Sequence, residues 1–360
     1  MEQFQLQLIR NLRRELHGLA ELSGEEVQTK QRLIAFLREH TSLHIEDEGQ
    51  WFCAVHSEPD ARETVAFRAD MDALPHDGGA AHLCGHDGHS AALCGLGLYL
   101  EGKHLCRNVV LIFQHAEETG VGGAICASAL KKHRVGRVYA FHNIPGWPEG
   151  AVLLREGTFA CASRGMTLNF TGAPSHAAYP ENGRNPGYAA ARVIDALSWL
   201  TQAGYRGLTM ATLIGAQIGQ KAFGTAAASA EVWLTLRASM NEDLQALIRA
   251  IEDSARTEAV RDSVDIRISF QDVFPATVND YAAVQRLRAI CRHTGLSCID
   301  VPEPFHWSED FGYYGAHAKA VLFGIGAGID WPQLHTKQYA FNDNLLPAAL
   351  TLFASLATSG

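Results

Sequence analysis

Three apolar runs that each stop on reactive groups constrain this chain more than any other feature. ETVAFRADMD (63–72), NVVLIFQ (108–114) and RVYAFHN (137–143) are short, rich in Val, Ile and Phe, and read as buried strands. The first ends on Asp70 and Asp72, the second runs into His115, Glu117 and Glu118, and the third ends on His142. Helical patterns at 89–100 and 121–131 separate them. Such alternation predicts an α/β layer with helices on a central, mostly parallel sheet. In that architecture ligands gather at the carboxyl ends of strands. Acidic and imidazole groups are therefore expected along one sheet edge, as a ligand site.

A chain of 360 residues, 47% of them apolar, exceeds what a single core usually organises. Near Gly165 the texture changes to MTLNF, a helix near 185–201, MATLIGAQI, EVWLTLRAS, a helix near 242–256 and VDIRISF. This strand-helix-strand-strand-helix-strand order is ferredoxin-like. It predicts an inserted α+β lid or dimerisation domain over 165–272, with 1–164 and 273–360 forming the catalytic, metal-binding domain. A helix at 280–293, a strand at 319–323 and a last helix from Leu345 complete the latter. At the start, Phe4, Leu8, Leu12, Leu16 and Leu19 share one side of an amphipathic helix ending near Gly24. Ser23-Gly24-Glu25-Glu26 reads as a capping box opening a second helix through about Leu37. The charges in the first helix make it part of the fold rather than a signal peptide.

The net charge of -9 and the lack of any Lys/Arg-rich run argue against a nucleic-acid partner. No stretch approaches the roughly 20 apolar residues of a membrane span. Eight cysteines without a C-x-x-C pair read as reduced thiols in the cytoplasm. All but Cys84 are expected to be small buried hydrophobes.

Cys84 differs because of its neighbours. CGHDGH (84–89) offers a thiol and two imidazoles on a sharply turning, glycine-containing backbone. HAEE (115–118) sets two adjacent carboxylates at a strand end, and adjacent side chains in extended backbone point oppositely. One of Glu117 and Glu118 can then bind metal while the other works on a water. FHN (141–143) adds His142, and WPQLHTKQYAFND (331–343) adds His335. A lone histidine is more often structural than a ligand; the repetition of the pattern after successive strands favours a metal site.

Several blocks, in order, resemble the two-metal exopeptidase family that includes aminoacylases, in its amidohydrolase branch of N-acyl amino acid, hippurate and auxin-conjugate hydrolases. They are RRELHGLAELSGEE (13–26), FRADMDALP (67–75), CGHDGHSAA (84–92), LIFQHAEE (111–118), FHNIP (141–145), GAPSHAAYPENGRNP (172–186), PATVND (275–280) and SEDF (308–311). The resemblance implies that Cys84, His86, Glu118, His142 and His335 hold two divalent ions, zinc or manganese, with Glu117 as general base. It implies that His176 steadies the oxyanion, often across a dimer, and makes Arg237 the candidate for the substrate carboxylate. Asp70, Asp72 and Asp87 are expected to orient ligating imidazoles or backbone. The implied partners are a small N-acyl amino acid-like substrate and further copies of the chain, as a homodimer or higher oligomer. AFGTAAAS (222–229) replaces an Asn-Val-Ile-Pro-like run common in the family, and the loop from His76 to Ala81 is short, so the acyl group stays open. A dipeptidase or carboxypeptidase, an inactive metal-binding scaffold, and a Cys84 nucleophile are the alternatives. Retention of both Glu117 and Glu118 argues against the scaffold.

Overall fold

In the computed structural model, which describes residues 3–202 and 204–359, the three apolar runs become neighbouring strands of one sheet. Asn108–Gln114, Thr64–Asp70, Arg137–Pro145 and Lys319–Gly328 lie side by side and parallel, forming its centre. Phe52–His56 and then His44–Asp47 extend it antiparallel on one side. On the other side Val152–Leu154 runs antiparallel to Lys319–Gly328 and parallel to Cys298–Asp300. The sheet is thus parallel where it carries chemistry and mixed at its edges. Thr64–Asp70 is buried at every position, as befits a strand covered on both faces.

Helix His86–Leu100 is buried at every position except Tyr99. A helix buried on all sides belongs in the middle of a core, and this one packs on helices Gln3–His17, Val27–His40 and Leu346–Thr358 and on strand Thr64–Asp70. Its small residues permit that crowding: a Cβ at Gly88 would come within 2.2 Å of the Phe341 ring.

The chain divides into two units. The first comprises the chain up to Phe159, Thr277–Pro304 and the chain from Glu309 onward. The second comprises Ala160–Ala276 and Phe305–Ser308. In the second, strands Thr209–Ile218, Ser229–Ala238, Ala162–Thr171 and Asp265–Phe274 form an antiparallel sheet in that order. Helices Gly187–Leu200 and Asn241–Arg261 pack on it and on each other, enclosing a core that includes Phe170, Val193, Val232, Leu247 and Ile251. Residues 305–308 join this unit because Cys161 N donates to Phe305 O and to Trp307 O, a long-range pairing without local signature.

Several local expectations are corrected. The first helix spans Gln3–His17 and buries Ile9, Leu12 and Leu16, leaving Phe4 76% exposed. Spacing of four drifts about 40° per step on a helix, so Phe4 lies about 120° from Leu16. Ser23 does not cap the helix Val27–His40; its Oγ donates to Asp72 Oδ2 at 2.7 Å. The segment at 121–131 forms two short helices, Gly122–Cys126 and Ser128–Lys132. Among the described residues no helix is long and apolar enough to cross a membrane.

Candidate metal centre

The parallel strands deliver their terminal groups as the hydrophobic pattern requires. Thr64–Asp70 leads to Asp70 and Asp72, Asn108–Gln114 leads to Glu117 and Glu118, and Arg137–Pro145 carries His142. Cys84 and His86 arrive on either side of Gly85, whose φ of +96° opens helix His86–Leu100. A Cβ there would lie 2.6 Å from Asn143 Oδ1 and 2.9 Å from the Tyr339 hydroxyl, so only glycine lets these groups close in. Asn143 Nδ2 donates to Cys84 O at 3.0 Å and also to the Tyr339 hydroxyl, fixing the turn. His335 sits in a loop with φ +64°, held by its N–H donating to Leu83 O at 2.8 Å.

These elements gather the five expected ligands. Cys84 Sγ lies 3.5 Å from His142 Nε2 and 3.4 Å from His335 Nε2. Glu118 Oε1 lies 3.7 Å from both His86 Nε2 and His335 Nε2. Cys84–His86–His142 and Cys84–Glu118–His335 are two compact donor groups that share the thiol. Glu117 Oε2 is 3.9 Å from His86 Nε2, and its Oε1 accepts from Asp310 N at 3.3 Å.

The donor set fits divalent cations. His86 Nε2 and Glu118 Oε1 are buried without any hydrogen-bond partner, a costly state for polar atoms. Separations of ~3.3–3.7 Å are those of donors bonded at ~2.0–2.3 Å to one tetrahedral ion. A thiol shared by two donor groups suits two ions, and thiolate with imidazole favours zinc-like metals.

Neighbouring groups aim the ligands. His86 Nδ1 is 3.0 Å from Asp72 Oδ1 and from Asp72 O, which turns Nε2 inward. Asp72 Oδ2 accepts the Glu118 N–H at 2.9 Å. His142 Nδ1 is 2.9 Å from Asn143 O. Asp70 serves His89 instead, Oδ1 to Nδ1 at 2.6 Å. Asp87 accepts from Gly88 N and lies 2.8 Å from His17 Nδ1, securing the helix start rather than a ligating imidazole. His115 lies against Cys126, Nδ1 to Sγ at 3.6 Å.

Electrostatics follow from burial. Burial, with Glu309, Glu118 and Asp310 adding, pushes Glu117 well above the usual carboxylate range. Burial pushes Glu118 up to about 7, with His86 opposing it. Burial lowers His142 and His335, keeping both imidazoles neutral, and raises the Cys84 thiol. For His86 burial acts downward, but Asp70, Cys84 and Asp72 together hold it well above the usual imidazole range.

Sequence reasoning missed what lies behind this centre. Arg68 is buried and donates to Gln114 Oε1 at 2.8 Å, Asp70 Oδ2 at 2.7 Å and Asp310 Oδ1 at 2.8 Å, with Glu309 Oε1 at 2.9 Å. His89 bridges Asp70 and Asn143. A lone arginine inside an otherwise apolar strand was the available signal for Arg68.

The remaining candidates lie in the second unit. Arg237, on Ser229–Ala238, donates through Nη1 to His306 O at 2.9 Å and Ser308 Oγ at 2.8 Å. His176 is exposed; its backbone bridges to Thr225 and its Nδ1 accepts from Ala178 N at 3.1 Å. Of the cysteines expected inside, Cys53, Cys94, Cys126, Cys161 and Cys291 are buried, whereas Cys298 is half-buried and Cys106 is exposed in a turn.

The chain is similar to known proteins over nearly its whole length. An uncharacterized hydrolase of Staphylococcus aureus (strain USA300) is 29% identical over 381 residues, covering 98% of each chain. The solved Bacillus subtilis YXEP protein, described as a dinuclear metal binding peptidase, superposes with a TM-score of 0.85 at 24% identity, covering 99% of this chain and 98% of that one. The aminobenzoyl-glutamate utilization protein of Klebsiella pneumoniae has a TM-score of 0.74 at 21% identity, covering 99% and 97%. The family model of Peptidase family M20/M25/M40 matches residues 66–359, a span that includes every group of the centre. The chain belongs to peptidase family M20/M25/M40, as a metal-dependent hydrolase.

Proposed function

We propose that this chain hydrolyses the amide bond of an N-acyl amino acid or related conjugate. Cys84, His86, Glu118, His142 and His335 hold two divalent ions, zinc or manganese, and Glu117 is the general base. The observation that carries the reading is the buried pair His86 Nε2 and Glu118 Oε1, neither with a hydrogen-bond partner, beside a second carboxylate, Glu117, whose Oε2 lies 3.9 Å from the same His86 nitrogen. Two bound ions would polarise the scissile carbonyl and lower the pKa of water from about 16 toward about 7. Glu117 accepts a proton from the attacking water and returns it to the departing amine nitrogen. The backbone N–H of Asp310 holds Glu117 Oε1, which fixes the direction in which the carboxylate works.

In this reading His176 donates to the oxyanion, in cis or from a second copy of the chain, and Arg237 takes the substrate carboxylate. The Arg237 fork keeps donors beyond Nη1 for that purpose. The neighbour named for aminobenzoyl-glutamate utilization supports the substrate class, since aminobenzoyl-glutamate is itself an N-acyl amino acid. The neighbour described as a peptidase makes dipeptide cleavage the competing reading.

The test begins with metal analysis of the purified protein and an amine-release screen over N-acyl amino acids and matched dipeptides. Chelation abolishes turnover and metal restores it, and acyl amino acids are preferred. Glu117→Gln lowers kcat by about 10²–10⁴ with metal content unchanged. Preference for dipeptides removes the amidohydrolase reading, and a Glu117→Gln enzyme at the wild-type rate removes the assigned base.

A further inference from the structure

The strands Thr64–Asp70 and Asn108–Gln114 carry the centre at their carboxyl ends, and a second donor cluster stands at their amino ends. Each strand advances about 3.3 Å per residue, so the two places lie ~20 Å apart along the sheet. Asp60, His104 and Cys106 bring a carboxylate, an imidazole and a thiol within 4.8 Å of one another. His104 Nε2 lies 3.3 Å from Asp60 Oδ2 and 3.9 Å from Cys106 Sγ. Tetrahedral zinc, with N and O at ~2.0–2.1 Å and S at ~2.3 Å, sets N–O at about 3.3 Å and N–S at about 3.6 Å. The His104–Asp60 separation matches that arrangement, and the His104–Cys106 separation exceeds it by about 0.3 Å.

An independent feature points to an ion. The Glu58 side chain is only 5% exposed, and its Oε2, buried and without an aligned hydrogen bond, is ion-paired with His104. That oxygen faces His104 Nδ1 at 2.9 Å, out of line for a hydrogen bond. Oε1 is anchored, accepting from Leu105 N at 2.6 Å and lying 2.8 Å from His56 Nε2. A carboxylate behind one ring nitrogen is the usual partner of a histidine that ligates metal through the other. A slight turn of the ring, as an ion engages Nε2, would satisfy Oε2.

The backbone already holds the groups together. Arg62 N donates to Cys106 O at 3.0 Å, and Glu58 N to Asn108 Oδ1 at 2.9 Å, tying the two loops. Cys106 has a φ of +53°, uncommon for a residue with a Cβ.

We propose that Asp60, His104 and Cys106 form a second metal site, for one zinc-like divalent ion, with Glu58 orienting His104 and water completing the coordination. The ion staples the loops that enter the two strands, at the end of the sheet opposite the hydrolytic centre. Its occupancy is independent of that centre, and so is its test.

Zinc alone is the probe, with zinc content measured by mass spectrometry after dialysis and alkylation of Cys106 followed by peptide mapping. Wild-type protein retains one equivalent more than Cys106→Ser. Zinc slows Cys106 alkylation at least tenfold, and a chelator restores it. His104→Ala abolishes the protection although the thiol remains. Glu58→Gln, a positioning change, weakens zinc affinity about 10–100-fold. Cys106→Ser keeps the Cβ and the exposed setting, so it folds and keeps its amide hydrolysis. Equal zinc content in wild type and Cys106→Ser, or alkylation of Cys106 indifferent to zinc, overturns the proposal while leaving the hydrolytic centre untouched.

Discussion

Replacing Arg68 by Met tests whether a buried cation holds the acidic floor of the site together. The side chain is 1% exposed and stands within 2.7–2.9 Å of Asp70, Asp310 and Glu309, with Gln114 as a fourth partner. Met keeps the unbranched stem as far as the position of Nε but leaves those carboxylates without the guanidinium that opposes their burial. Breaking a buried ion pair by removing one partner costs about 3–5 kcal/mol, because the other charge stays buried and unpaired. Asp70 shows the dependence: burial pushes it up, and His86, Arg68 and His89 together hold it well below the usual range. At about 2–4 °C per kcal/mol for large domains, the transition of the first unit drops by roughly 6–20 °C. Calorimetry resolves it if the two units melt separately. The comparison belongs in chelator, since metal bound only to the folded state would mask part of the loss. Arg68→Lys recovers part of the loss, because one ammonium cannot satisfy the geometry of a planar fork. A loss below about 1 kcal/mol for Arg68→Met would refute the reasoning, since it would mean the carboxylates neutralise themselves without the arginine.

Gly88→Ala places a methyl within 2.2 Å of the Phe341 ring and should cost about 1–3 kcal/mol by overpacking, read as a lower urea midpoint; unchanged stability would show that the ring simply moves aside. Glu46 bonds Lys132 at 2.8 Å and His133 at 3.0 Å; burial works against it, yet these partners lower its pKa. A carboxylate lowered on folding contributes stability above its unfolded value, near 4.3, and loses it as pH falls through the folded value. Glu46→Gln should therefore be less stable than wild type at pH 7, by no more than about 1 kcal/mol because Lys132 is half exposed, with the gap closing below about pH 4. A gap that widens on acidification would contradict the assigned direction.

How much of this was legible depended on whether the information was local. Strand runs, their terminal acids and the strand-helix order of the second unit follow from the period of the apolar pattern, which a chain segment carries within itself. So does the crowding of Cys84, His86 and His89 in six residues. The division of labour between the two histidines is not local. His89 spends both nitrogens on Asp70 and Asn143, whereas His86 keeps Nε2 unpartnered, and only the meeting of three strand ends decides this. His335 reaches Cys84 across 251 positions in sequence. Arg68 appears as a misplaced charge until Asp310, 242 positions away, supplies its partner. Cys106 looked like another small core residue, and only the turn it occupies exposes it beside His104 and Asp60. By itself the sequence determined which groups stand at the strand ends, because burial of the apolar runs leaves them nowhere else to go. Tertiary structure alone decided which of their lone pairs remain unsatisfied, because each partner comes from a distant segment. Those unsatisfied atoms are where metal can bind.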